Sequence, residues 1–138
     1  MGRTYQTATI ENFNDMAKVV EGILTPDKVR SLEVDFFVDT GAAMLCLPQK
    51  NIKQLGLLKM RSMRTRTANG VIDADVYSPV RIKVLDREAI TEVMAISDET
   101  PPLLGYLPLE MLVLVVSPTE QKLIGDPFHG GKYMIDMF

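Results

Sequence analysis

Phe36-Phe37-Val38-Asp39-Thr40-Gly41-Ala42 is the stretch on which the reading of this chain turns. The apolar run Leu32 to Val38 reads as a buried strand, yet it delivers an aspartate, a threonine and a glycine at its end. A carboxylate in such a place is costly unless hydrogen bonds or a partner satisfy it. Gly41 lets backbone approach closely and take conformations other residues avoid, so amide donors can be packed around Asp39. Thr40 adds a short hydroxyl that can bond backbone locally or across an interface. The plain alternative is a strand-end turn with a solvated aspartate, because an Asp-Thr-Gly triplet alone is a weak motif.

Outward from this stretch the chain reads as mostly β. Before it, Arg3 to Glu11 has the β-branched and aromatic composition of a strand, and Asn14 is a candidate cap for a short helix through Val20. After it come a strand at Ala43 to Leu47 and a helix at Pro48 to Leu55, with Gly56 as its terminator. Arg61 to Ala68, then Asn69-Gly70, then Val71 to Val84 reads as a long hairpin, the Asn-Gly pair suiting a type I′ turn. Pro79 demotes the return strand to an edge or marks a bulge. A turn at Asp86-Arg87 leads to a strand at Ala89 to Ile96, and Ser97 to Pro102 is loop. Leu103-Leu104-Gly105 is a short buried strand, Pro108 to Leu112 a helical turn, and Val113 to Val116 and Lys122 to Ile124 are further strands. Many short strands punctuated by turns imply a closed β-barrel or sandwich with one or two helical pieces.

Composition narrows the class. The chain has 138 residues, 46% hydrophobic and 24% charged, the size and make-up of one globular domain spanning 1–138. A net charge of −3 argues against nucleic acid as a partner, which calls for a basic excess. The single cysteine, Cys46, excludes an internal disulfide framework and points to a reducing, cytoplasmic compartment. No basic-then-apolar leader opens the sequence, and Met1-Gly2 is a poor acylation signal because Gln6 stands where Ser or Thr is wanted. The longest apolar stretch, Leu103 to Val116, is broken by Gly105, Pro108 and Glu110 and is too short for a membrane span. With His129 as the only histidine and no Cys/His cluster, neither a metal nor another cofactor is expected.

The order of motifs resembles that of retropepsin-like aspartic proteases, and most of all their small stand-alone bacterial single-lobe type. Phe36 to Ala42 is similar to the family's active-site signature, Asn69-Gly70 falls at the tip of its flap, and Leu103-Leu104-Gly105 matches its later apolar-apolar-Gly strand before a short helix. The resemblance covers about residues 3 to 136. It implies a mainly β, closed single-lobe acid-protease barrel with a flap hairpin. It further implies Asp39 as the catalytic residue, Thr40, Gly41 and Ala42 as its support, and Ala68, Asn69 and Gly70 as the flap over an extended peptide. Leu103, Leu104 and Gly105 would be structural neighbours of the site. Viral members carry an Arg after the late glycine that helps tie two subunits together; Tyr106-Leu107 stands here instead, so that tie cannot form.

Aspartic proteolysis needs two carboxylates, one to take a proton and one to give it. This chain has one Asp-Thr-Gly and no internal repeat, so the expectation is an aspartic endopeptidase working as a homodimer on peptide or protein substrates. The alternative is a catalytically inactive dimeric peptide-binding or scaffold module of the same fold. Cys46 reads as a buried structural thiol, and Arg61, Arg64 and Arg66 as a solvated strand face or, less simply, a contact for acidic substrate residues or the partner subunit. Asp73 and Asp75 share a face of the return strand and read as exposed. The apolar ends, Arg3 to Ile10 and Tyr133 to Phe138, are candidates either for an interface or for core packing.

Overall fold

In strand β2, Ser31–Val38, the side chains of Val34, Phe36 and Val38 are buried while those of Glu33 and Asp35 face solvent, the two-residue period of a sheet with one wet face. The same alternation recurs over Tyr5–Asn12 and from Ala74 to Val84 in this computed structural model, which describes residues 3–138; the Met1-Gly2 pair lies outside the described residues.

Strand β1, Tyr5–Asn12, runs into helix α1, Phe13–Val20, and a 3-10 turn at Pro26–Lys28 precedes β2. Strand β3, Leu45–Pro48, passes directly into α2, Gln49–Leu55, which ends on Gly56 at φ 64°. Next come β4, Lys59–Thr67, β5, Gly70–Val84, β6, Arg87–Ile96, and the short β7, Leu103–Leu104. Helix α3, Tyr106–Leu112, is followed by a separate two-stranded ribbon of β8, Leu114–Ser117, and β9, Lys122–Gly125. A second 3-10 turn, Pro127–His129, leads to the C-terminal segment.

The main sheet has the order β1-β2-β7-β3-β6-β5-β4, and β1 also pairs with β5. That extra pairing links β1, β2, β7, β3, β6 and β5 into a cycle, with β4 left outside it. The division falls within β5. Its first half pairs with β4 to make a projecting hairpin, and its second half, Val80 to Lys83, pairs with Asn12 to Thr9 of β1. Pairing of β5 with β6 shifts register between Tyr77 and Val80, at Pro79, which has no N–H to give. The bulge expected at that proline is therefore present. Apolar side chains inside the cycle, among them Ile10, Phe36, Leu45, Ile82, Val93 and Leu104, form the main core. Each such side chain contributes on the order of 1.5–3 kcal/mol by leaving water.

Several boundaries differ from the sequence reading, each for a local reason. Asn12, not Asn14, caps α1, its side-chain oxygen accepting from the Asp15 N–H at 3.1 Å. The hairpin loop is Ala68-Asn69 rather than Asn69-Gly70: Thr67 faces Gly70, and Gly70 alone takes positive φ, 116°. A type I′ turn needs positive φ at both loop residues, and neither Ala68 nor Asn69 adopts it. Leu85-Asp86 likewise forms the next turn, one residue early, with Leu85 at φ 60°. Val113 caps α3 at φ 54° and is not part of a strand. The C-terminal segment forms no strand, and Ile135, Met137 and Phe138 are exposed, so it does not pack into the core of the chain.

One polar clamp fixes the helical edge of the barrel. The buried Asp15 carboxylate accepts from the Arg30 backbone N–H at 3.0 Å and from its Nε and Nη2, each at 2.9 Å. Asn12 Nδ2 donates to the Leu55 carbonyl at 2.7 Å, and Arg30 lies so close over Gly56 that a Cβ there would meet its Nη1 at 1.8 Å. The Arg30 hydrogen bonds hold the Asp15 carboxyl below the usual carboxylate range despite its burial. Its stabilising contribution is thus full above the unfolded-state value and is lost as pH falls through the lower, folded-state value. Asp15→Ala should cost about 1–3 kcal/mol in urea unfolding at pH 7, since it removes the acceptor of the Arg30 backbone and side-chain N–H groups while the half-exposed guanidinium turns to water. The gap between variant and wild type should narrow when the same titration is run near pH 3.

Candidate active site

The backbone reaching Asp39 is held from both sides. Phe37 N–H donates to Pro102 O at 2.9 Å, Val38 N–H to Thr4 O at 2.9 Å, and Asp39 N–H to Leu104 O at 3.0 Å. Beyond Asp39 the chain turns sharply. Ala42 N–H donates to the Asp39 carbonyl at 3.1 Å, and Gly41 N–H donates to Asp39 Oδ1 at 2.9 Å. A Cβ at Gly41 would sit 3.2 Å from that oxygen, so glycine gives the carboxylate its seat. Asp39 is half-buried, with Thr40 and Gly41 exposed beside it. Among the described residues, Asp39 Oδ2 accepts no protein hydrogen bond and is open to water or substrate.

The turn is clasped by the segment around β7. Gly105, Tyr106 and Leu107 donate their N–H groups to the carbonyls of Met44, Ala42 and Ala43 at 3.1, 2.9 and 3.0 Å. This use of the Ala42 to Met44 carbonyls is why β3 begins at Leu45 and not at Ala43. A Cβ at Gly105 would stand 2.5 Å from Met44 O and 2.7 Å from Ala42 O, both backbone atoms that cannot swing aside. The two motifs singled out in the sequence, Asp39 to Ala42 and Leu103 to Gly105, are brought into direct contact. Leu104 is fully buried between Val38 and Leu45 in the sheet, and Leu103 lies beside Cys46.

On the sheet face opposite the main core, register aligns Tyr5, Phe37, Leu103, Cys46, Met94 and Val76 in one row. Cys46, Met94, Val76 and Ala74 form a second small apolar cluster, which Thr65 of β4 approaches through its hydroxyl, 4.0 Å from Met94 Sδ. That row is the floor beneath the hairpin. The unbroken apolar run Leu45-Cys46-Leu47, buried at every position, is its sequence signal. Burial, and next the nearby charge of Asp39, push the Cys46 thiol up to about 11, as a structural thiol requires.

Ala68, Asn69 and Gly70 sit at the exposed hairpin tip, where Thr67 Oγ1 accepts from Asn69 N–H at 3.2 Å and donates to Gly70 O at 2.8 Å. These bonds stay within the hairpin and do not join the tip to Asp39. Arg61 pairs with Glu92 at 2.7 Å and Arg64 lies 3.8 Å from Asp73, both at the surface, while Asp75 is 3.2 Å from Lys59. His129 Nε2 lies 3.2 Å from Asp136. No group of three His, Cys, Asp or Glu residues placed to hold a metal occurs among the described residues.

Residues 28–110 match the family described as gag-polyprotein putative aspartyl protease. Among solved structures, EIAV protease complexed with the inhibitor HBY-793 is similar to this chain with a TM-score of 0.52 and 20% identity. The likeness covers 79% of this chain and 86% of that one, and at such identity it concerns the fold: mainly β and retropepsin-like. No curated protein matches the sequence.

Two measurements check the geometry of the site. Gly105→Ala should destabilise the protein by at least about 2 kcal/mol in thermal or urea unfolding, because backbone must yield to the new Cβ. Cys46 should react with a thiol reagent at pH 8 no faster than the protein opens, with full reactivity gained on adding denaturant.

Proposed function

The chain belongs to the gag-polyprotein putative aspartyl protease family, and from that premise we propose that it is an aspartic endopeptidase active as a homodimer, one domain over residues 1–138. What supports this most is the Asp39 carboxylate: one oxygen is seated on the Gly41 amide, the other is open, and the turn that carries both is locked by Gly105. A single such carboxylate is half of a general acid–base pair. Since the sequence has one Asp-Thr-Gly, the second carboxylate comes from another copy related by a two-fold axis.

Two carboxylates about 3 Å apart do not both ionise, and they share one proton, as in aspartic proteases generally. The ionised Asp39 takes a proton from a water held between the pair, and that water attacks the scissile carbonyl. The protonated Asp39 of the other copy gives its proton to the carbonyl oxygen. Collapse of the tetrahedral species then sends a proton to the leaving amine, with no covalent intermediate. Thr40 meets its counterpart across the axis in this reading, supported by its exposure beside Asp39, while the Gly41 and Ala42 amides keep the turn in shape. Ala68, Asn69 and Gly70 lie over an extended peptide, which the hairpin binds as an added strand. Leu103, Leu104 and Gly105 are the structural support beneath. The lone buried thiol of Cys46 suits a reducing compartment, and we place the enzyme in the cytoplasm. No helix among the described residues is long and apolar enough to cross a membrane.

Asp39→Asn decides between this reading and that of an inactive scaffold. Cleavage of an unfolded protein substrate should fall at least about a hundredfold while the association state stays as in wild type. Equal residual proteolysis in the variant, or none in freshly folded wild type, would overturn the proposal.

A further inference from the structure

We propose that Arg87, at the start of β6, is a positioning residue that couples the C-terminal strap, Gly125 to Tyr133, through α3 to the turn that carries Asp39. This rests on the protease reading above and adds a residue, remote from the carboxylate, that sets its geometry. The Arg87 side chain is only 8% exposed, yet the one carboxylate within 4.0 Å among the described residues is that of Asp86, 3.8 Å away and 91% exposed. A guanidinium taken out of water needs other partners. Three backbone carbonyls supply them. Nη1 donates to Leu112 O at 3.1 Å and to Val113 O at 2.6 Å, and Nη2 donates to Gly131 O. The Tyr133 ring covers the group, 5.6 Å from Cζ to its centroid, and the Tyr133 hydroxyl donates to the Glu88 carbonyl.

The first two carbonyls end α3, where no intrahelical N–H reaches them and a cation is favoured. The third belongs to the strap, which lies so close on β9 that a Cβ at Gly125 would run into the Gly131 carbonyl. Val113 O also accepts from Asp126 N–H at 3.0 Å, and Gly131 N–H donates to Asp126 O at 3.0 Å. One side chain thus joins β6, the end of α3 and the strap. After Tyr133 the chain is exposed, so burial adds little to the grip. The consequence for Asp39 follows from length. Helix α3 has seven residues, about 10 Å at the usual rise. Its first amides, with that of Gly105 before them, clasp the Ala42 to Met44 carbonyls. So short a helix moves as one piece. Fixing its last carbonyls fixes its first amides, and with them the seat of the Asp39 carboxylate.

Native-state hydrogen exchange and steady-state cleavage of an unfolded protein substrate, both on the full chain, test this with Arg87→Met and with Tyr133→Ala. In Arg87→Met the amides of Gly105, Tyr106 and Leu107 should exchange at least about tenfold faster, while that of Ser78, bonded to Leu58 O at 2.8 Å, changes less than about twofold. The kcat should fall at least about fivefold with KM within about twofold of wild type, because the contacts of the substrate are kept and those of the carboxylate are not. Tyr133→Ala, at a position 47% exposed, lets water compete for the guanidinium and should give the same pattern at about threefold in exchange and in kcat. Exchange that quickens equally at Ser78, or an unchanged kcat beside an active wild type, makes Arg87 a stability contact alone. Either result overturns the positioning role and leaves the protease reading standing. Should Arg87→Met not fold, Tyr133→Ala decides by the same criteria. A folded wild type without proteolysis overturns both.

Discussion

Backbone packed against backbone at Gly105 is the constraint on which the site depends. Three amides in succession, Gly105, Tyr106 and Leu107, satisfy the carbonyls of Met44, Ala42 and Ala43 respectively, and the absent Cβ lets the two segments touch. Because buried polar backbone must be paired, this arrangement answers for a stretch of chain that belongs to no regular strand. It also turns a loop into a rigid mount. Asp39 inherits its position from β2 and β7 behind it and from the clasp ahead of it, so its carboxylate direction is set by main chain and owes little to neighbouring side chains.

Much of this was legible in the residues. Strand β2 announced itself by the apolar run Leu32 to Val38 that stops at Asp39, and Pro79 marked its bulge because a residue without an N–H leaves a gap in a ladder. The pairing of two distant motifs was legible only through resemblance to a family, since no local signal states that Gly105 needs room for Met44 O. The turns fall at Ala68-Asn69 and at Leu85-Asp86, off the pairs the sequence predicts, because propensity favours the residue pair with the strongest turn chemistry, whereas strand pairing chooses the pair that keeps side chains on their proper faces. The cap at Asn12 escaped notice for a related reason: its side chain serves the helix and the Leu55 carbonyl together, and the second partner is remote in sequence.

The apolar face opposite the main core explains why Cys46 and Met94 are buried in a strand pair that alternates inward and outward. A wall apolar on both sides is wasteful for a free-standing sheet, but it suits one whose outer face is approached by a hairpin, as Thr65 approaches Met94 here. The charges of the hairpin, Arg64 with Asp73 and Lys59 with Asp75, lie on its outer side, away from that floor. Polar groups thus keep the outer side of the hairpin wet, and on its inner side Arg61, opposite Val76, is paired with Glu92.

Strand β5 belongs to two structures at once, and Pro79 is the joint between them. The part of the hairpin beyond Val76, where Ser62 to Thr67 face Asp75 to Gly70, pairs only with itself and can lengthen or change sequence without removing a rung of the sheet below. Over evolutionary time the arm and the sheet it springs from are free to diverge at separate tempos, since only the sheet answers to the demands of keeping shape.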